Sequence, residues 1–391
     1  MVKKILAVMI AILIAISCCY YVCAKEENAK FVVGDIVEFG SYPQTEITDE
    51  NLKQALNAVE ATAKGFEGYY EAELRGPYGD KDYVENKNMM FYKDVTYNGE
   101  KYRGIKISSY RPSYTNLVPA KNNTAQSYYG YDIGEWYWFK YEPLKWKIFD
   151  AEKSLAISEI VIDSQPYNSI YKNNGYECIN FSTNIEYANN FGTSTLCKWL
   201  NSDFLNTAFT PEEQKLLPEI TVDTHFADGT CGQNRGAASF KQVVLLTHEQ
   251  AKDPNSDSDY AVKEEFIFGD DAKSYEESFS DYAAIQGYDR LGWWLVTPYI
   301  GSTDQAESVF VNLSEGTQQY SILMNSTVND ASTGVRPVIS FSQITEEYDV
   351  GNTTDDTTSA KGNSVFAVLI GAIVVLGIVS GIAVLIIKKK K

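Results

Sequence analysis

Residues 136–162 carry the clearest alternation in the chain. In "WYWFKYEPLKWKIFD", Leu144, Trp146 and Ile148 fall on one side, and Lys145 and Lys147 on the other. A period of two predicts a half-buried strand with a charged outer face. Residues 136–141 predict an aromatic strand before it, with Glu142-Pro143 as the break between the two. Residues 155–162 predict a third strand after a turn at 150–154, so the three make an antiparallel meander. Trp136, Trp138 and Trp146 read as core.

Nearer the start, "GDIVEFGSYPQT" alternates Val37 and Phe39 with Ile36, Glu38 and Gly40, then reads as a turn over 40–43. Apolar residues recur at helical spacing over 51–63. Residues 64–130, rich in Gly, Tyr, Asn and Asp, predict surface connections with short strands such as 102–107. In "STLCKWLNSDFLNTAF", Ser194 is placed to cap a helix whose Leu196, Trp199, Leu200 and Phe204 share a face. Cys197 lies beside that stripe, so a buried thiol is expected. Thr210-Pro211-Glu212-Glu213 is a capping box with Pro at the first helical position. Short strands follow near 220–222, 243–246, 293–296, 308–312, 320–323 and 335–341. The fold class is α+β, with antiparallel sheets and a few short helices.

The two ends carry different patterns. Lys3 and Lys4 precede an apolar run over 5–16, and Val22 and Ala24 fit a cleavage after residue 24, so 1–24 predicts a secretory signal peptide. Residues 365–387 form an uncharged apolar run, at ~1.5 Å per residue long enough to cross a membrane core of ~30 Å. Lys388–391 follow and predict a cytoplasmic tail. Residues 346–364 are polar, acidic and Thr-rich, a flexible tether. The expected product is a single-pass protein of the cell membrane, with residues 25–345 as an extracellular domain.

Charge narrows the partners. All 52 acids and 28 of the 34 Lys and Arg fall within 25–364, a net of −24 there. Phosphate backbones need concentrated cations, so nucleic acid is excluded as a partner. Only Cys178, Cys197 and Cys231 lie beyond the leader, too few for a disulfide scaffold.

Several stretches together carry a resemblance: "FGSYPQT", "YWFKYEPLKWKIF", "STLCKWLNSDFLNTAFTPEE", "SDYAAIQG", "GWWLVTP" and "GVRPVI". Over residues 33–342 the chain resembles a bacterial surface-domain family of unknown function. That family's tryptophan block usually reads W-W-L-R-S-P; Val296 and Thr297 replace the arginine and serine here. The pattern also resembles, more distantly, the C-type-lectin-like fold of formylglycine-generating-enzyme relatives. The resemblance implies a terminal strand at "GVRPVI". It does not imply oxidase activity, because no cysteine follows Cys231. Arg336 in that strand is expected to be partly buried and paired with a carboxylate.

Two sets of candidate residues follow. Adjacent strand residues face opposite ways, so at most one of Trp293 and Trp294 is a ligand platform, and Trp294 is the candidate beside a core reading of the whole motif. Tyr128, Tyr129, Tyr131 and Tyr299 join it on loop position, as Tyr offers contact area with a polar tip. In "DPNSDSDYAVKE", Asp253, Asn255, Asp257, Asp259 and Glu264 stand at positions 1, 3, 5, 7 and 12 of an EF-hand-like loop, a candidate Ca2+ site. Ser258 replaces its turn glycine, and the plainer reading is an acidic, solvated insertion. The expected function is binding of an extracellular glycan or protein. An extracellular enzyme acting on polysaccharide and a structural adhesin are the alternatives.

Overall fold

The computed structural model describes residues 31–66, 70–75, 80–85, 87–111, 125–169, 188–222, 239–268, 277–290, 292–299, 305–314 and 317–342. Contacts divide the chain into residues 1–352 and 353–391, and every described residue belongs to the first unit. The expected leader, tether, apolar run and lysine tail lie outside the described residues. Among those described, no helix is long and apolar enough to cross a membrane.

The strands in chain order are β1 (Ile36–Glu46), β2 (Lys64–Gly65), β3 (Tyr70–Arg75), β4 (Asp80–Glu85), β5 (Met90–Tyr97), β6 (Glu100–Ile107), β7 (Trp136–Asp150), β8 (Leu155–Ser158) and β9 (Asp163–Ser164). Then come β10 (Ile220–Val222), β11 (Ser239–Lys241), β12 (Gly292–Pro298), β13 (Gln305–Ser314), β14 (Thr317–Thr327), β15 (Gly334–Val335) and β16 (Val338–Ser340). One seven-stranded sheet holds β1, β2, β5, β6, β7, β8 and β16. A second runs β14-β13-β12-β15-β9, all antiparallel except the β12–β15 pair. Both sheets contribute to one core, with Trp146, Phe39 and Ile157 from the first and Trp293, Leu295 and Val309 from the second.

The predicted break at Glu142-Pro143 is absent: β7 runs through it as one strand of 15 residues. Its pairing explains why Pro143 is tolerated. Along one edge β7 pairs with β1 from Phe139 to Lys147. Along the other it pairs with β6 over 136–140 and with β8 over 146–150, leaving 141–145 without a strand there. The sheet forks at the proline, where a missing N–H costs no ladder bond on the open edge. The predicted turn over 40–43 is likewise absent. β1 continues to Glu46 and takes up its extra residues as irregularities between Glu38 and Ser41 and between Pro43 and Glu46.

Helix α1 (Glu50–Ala58) is shorter than the predicted 51–63; Asp49 caps it by accepting from the N–H groups of Asn51 and Leu52. Ser194 caps the next long helical segment, accepting from the Cys197 N–H, and Leu196, Leu200 and Phe204 are buried along it. The capping box at Thr210 is complete, with the Thr210 hydroxyl on the Glu213 N–H and the Glu213 carboxylate on the Thr210 N–H.

The "GVRPVI" segment splits into β15 in one sheet and β16 in the other, with Arg336-Pro337 between. Arg336 is 2% exposed. No described carboxylate pairs with it, which corrects the expected ion pair; Asp289 instead accepts from the Ser332 hydroxyl. The guanidinium donates to the carbonyls of Ser158, Glu159 and Phe266 at 2.9–3.2 Å. It also stands 4.3 Å from the ring centre of Phe268 and 4.8 Å from that of Trp293. Burial pushes its pKa down to about 9. Lysine carries fewer donors and no planar fork. Arg336→Lys is therefore expected to lower the unfolding free energy by about 3 kcal/mol, the range for stranding buried acceptors. Denaturant unfolding checks this; a loss below about 1 kcal/mol would mean the carbonyls find other donors.

Candidate functional site

The fork in the first sheet opens a cleft of about 630 Å³. Leu144, Ile160 and Phe268 give it apolar surface, and among the described residues Glu38, Glu142, Glu159 and Glu277 line it with one cation, Lys145. β1 carries Glu38, β7 carries Glu142, Leu144 and Lys145, and Glu159 and Ile160 follow the end of β8. Gln44 donates from its amide to the carbonyls of Glu142 and Pro143 at 3.1 and 3.0 Å, satisfying backbone at the fork. The Glu142 carboxylate accepts from the Thr45 hydroxyl at 2.7 Å and the Thr45 N–H at 3.2 Å, which fixes its direction. Among the described residues, four carboxylates against one ammonium make the cleft attractive to a cation.

The aromatic candidates do not assemble into one platform. Trp294 is 0% exposed, its indole N–H donates to the Gln165 carbonyl at 2.8 Å, and its ring packs edge-on against Tyr167. It is core, because both faces of β12 are covered: Trp293, pointing the other way, is buried against Phe268 and Tyr320. Tyr131 is buried too, its hydroxyl donating to the Asp281 carbonyl, and burial raises its pKa. Tyr299 is half-buried at the end of β12, its N–H on the Gln305 carbonyl. Tyr128 alone is widely exposed, at 79%, with Tyr129 packed edge-on beside it. Arg290, at φ +71°, lies over Tyr129 and donates to its hydroxyl at 2.6 Å. Burial pushes the Tyr129 hydroxyl up to about 12, which its arginine partner partly opposes.

Nor do the calcium candidates converge. Among the described residues no group of three or more His, Cys, Asp or Glu side chains could hold a metal, and 253–264 is wholly described. The Asp253 carboxylate turns back to the Asn255 N–H, Asp259 is tied to Lys252, and Glu264 opens only a three-residue 3-10 turn. Backbone pairing of Lys252 with Val262 makes the stretch a closed loop rather than an ion cradle. His225 and Cys231, a histidine and a cysteine close enough in sequence for a Cys–His dyad to be conceivable, lie outside the described residues. Cys197 is buried as expected, and burial pushes its thiol up to about 11.

Two buried polar groupings have no local sequence signal. Asp163 accepts from the Tyr42 hydroxyl at 2.7 Å, from the Ser164 N–H and from the Gln165 amide, and burial still pushes it up to about 6. This ties β9 to β1 across the core. Beside the second sheet, His248 Nδ1 lies 2.8 Å from a Glu307 carboxylate oxygen. Glu307 falls at a register shift in β13, the kind of irregularity that re-aims a side chain.

The hydrogen bond to Glu307 raises the pKa of His248 above its usual 6.5, while burial raises that of Glu307. A raised histidine adds stability below its unfolded pKa that is lost as pH rises through the folded value. The chain has two histidines, so the titration is resolvable by NMR. One imidazole is expected to titrate above pH 6.5 and to fall in Glu307→Gln. An unchanged titration in that variant would contradict the pairing.

The family described as "Domain of unknown function (DUF6273)" matches residues 151–342. The match takes in β8 to β16 and leaves β1 to β7 outside it, a shorter span than the resemblance over 33–342 implied. No curated protein and no solved structure matches the chain.

Proposed function

We propose that the chain is a membrane-anchored bacterial surface protein whose lectin-like extracellular domain binds a partner without chemical turnover. The partner is an extracellular protein segment rich in Lys or Arg. The observation that carries this reading is the cleft at the sheet fork, with four glutamates, one lysine and apolar surface among its described residues. A basic side chain suits it on both counts, charged head on the carboxylates and aliphatic stem on Leu144 and Ile160. A neutral glycan would favour exposed aromatic rings, and among the described lining residues Phe268 alone is aromatic. The anchor, the outward orientation and the lectin-like relation rest on the apolar run at 365–387, the leader and the closing "GVRPVI" strand.

One observation favours a second reading. Several carboxylates around one cleft are also what acid–base hydrolysis of a glycosidic bond uses.

One experiment separates the two. The full-length chain in detergent is titrated with oligolysine, and incubated with cell-wall polysaccharide while new reducing ends are counted. Saturable binding is expected, weakened roughly tenfold in Glu38→Gln/Glu142→Gln/Glu159→Gln, as partly exposed ion pairs are each worth a few tenths to ~1 kcal/mol. Binding that ignores the substitutions would sink the cleft as the site. Reducing ends released by the wild type and not by the triple variant would replace binding with hydrolysis.

A further inference from the structure

One face of β5, β6 and β7 is only partly covered. Cross-strand register lays three rows on it: Phe91–Lys106–Trp136, Lys93–Gly104–Trp138 and Val95–Tyr102–Lys140. Helix α1 covers the later rows, with Leu52, Leu56 and Val59 clustered on Val95, Tyr102 and Trp138. Phe91, Lys106 and Trp136 fall outside that cluster and stay half-buried, as does Lys93.

A Cβ at Gly104 would come within 3.0 Å of the Trp138 ring and 3.2 Å of the Trp136 ring. Without it the two indoles stack over the strand, 6.3 Å apart and 26° from parallel. The Lys93 ammonium stands 4.9 Å and 5.1 Å from their ring centres. No described carboxylate pairs with Lys93 or Lys106, whereas Lys140 in the third row is neutralised by Glu100 at 2.8 Å. Partial burial also lowers the Lys93 pKa, so its charge is incompletely solvated. In a chain of net charge −18, two lysines without a described carboxylate partner thus stand beside a half-buried indole.

We propose that Trp136, Phe91, Lys93 and Lys106 form a binding platform for an acidic polysaccharide. A pyranose ring lies against the exposed part of Trp136, and ring carboxylates meet the two ammonium groups. Neighbouring strands are about 4.8 Å apart, so Lys106 sits one strand spacing from Trp136. Carboxylates on successive sugar rings can therefore reach it while one ring stays stacked. This site uses other residues than the cleft, takes ligands of opposite charge, and stands whether or not the cleft reading holds.

Calorimetry on the full-length chain in detergent tests it, at 0.15 M salt, where a Debye length of ~8 Å screens the distant acids. The probes are polygalacturonate, its methyl ester, and polyphosphate. Saturable binding of polygalacturonate is expected, with the ester and polyphosphate both weaker. Lys93→Gln/Lys106→Gln should weaken it roughly tenfold or more, two charge-assisted contacts being lost. Its thermal midpoint should fall only slightly, since neither lysine pairs with a described carboxylate and the packing lost is the Lys93 contact with the two indoles. Trp136→Ala should also weaken binding, and Glu38→Gln/Glu142→Gln should not. Absence of polygalacturonate binding would overturn the proposal, as would equal binding by the lysine variant. Equal affinity for the methyl ester would remove the charge contact, and equal affinity for polyphosphate would remove the ring contact; either overturns the platform.

Discussion

A buried guanidinium with no carboxylate beside it must be met by dipoles and ring faces alone, and these have to be in place together. Arg336 is held this way by three carbonyls and two aromatic rings. Ser158 ends β8 of the first sheet and Trp293 belongs to β12 of the second, so the side chain is fastened to both. Its backbone passes from β15 to β16 across the same gap. Two glycines permit close backbone packing within the second sheet at this join. A Cβ at Gly334 would meet Val161 and Tyr288, and Gly292, at φ +129°, lies where a Cβ would run into the Val309 carbonyl. The sheets are thus joined by a polar fastening, with hydrophobic core packed around it.

The other buried polar groups serve the same end. Arg111 reaches the carbonyls of Ser164 and Gln286 and the Gln165 amide oxygen, and Gln126 reaches the Ile285 carbonyl and the Arg111 N–H. Arg103 forks onto Asp94 with both contacts at 2.8 Å. These groups are spent on holding strands and loops together. That leaves two surface features, the cleft at the fork and the open end of the β5–β7 face, as the candidate ligand sites. Both follow from sheet topology: one exists because β6 and β8 stop short of each other along β7, the other because α1 is too short to reach the first row.

Much of this was legible locally. Alternation located Leu144, Trp146 and Ile148 in the core, and the Ser194 cap and Thr210 box gave two helix starts. Asn98-Gly99, both at positive φ, carries the strongest short hairpin signal, yet the reading of 64–130 as connections passed over it. The remainder depends on partners far along the chain. Pro143 reads as a break until the edge it faces is known to be open. Trp294 is open to a platform reading beside the core one until Tyr167 and Gln165 are brought against it. Arg336 invites a carboxylate because carbonyl acceptors belong to every residue and leave no mark in sequence. The spaced acids at 253–264 match a calcium loop in order alone; Lys252 and the backbone pairing decide their directions.

The central claim is that the "GVRPVI" segment fastens both sheets into one cooperative unit. Native-state hydrogen exchange tests it most directly. The bonded amides of Ile162 on the Val335 carbonyl, Val338 on Val244 and Val296 on Leu246 span the join. The account predicts that all three open only with global unfolding, at one common free energy. Exchange of one sheet's amides at a clearly lower free energy, with the other sheet still protected, would contradict it.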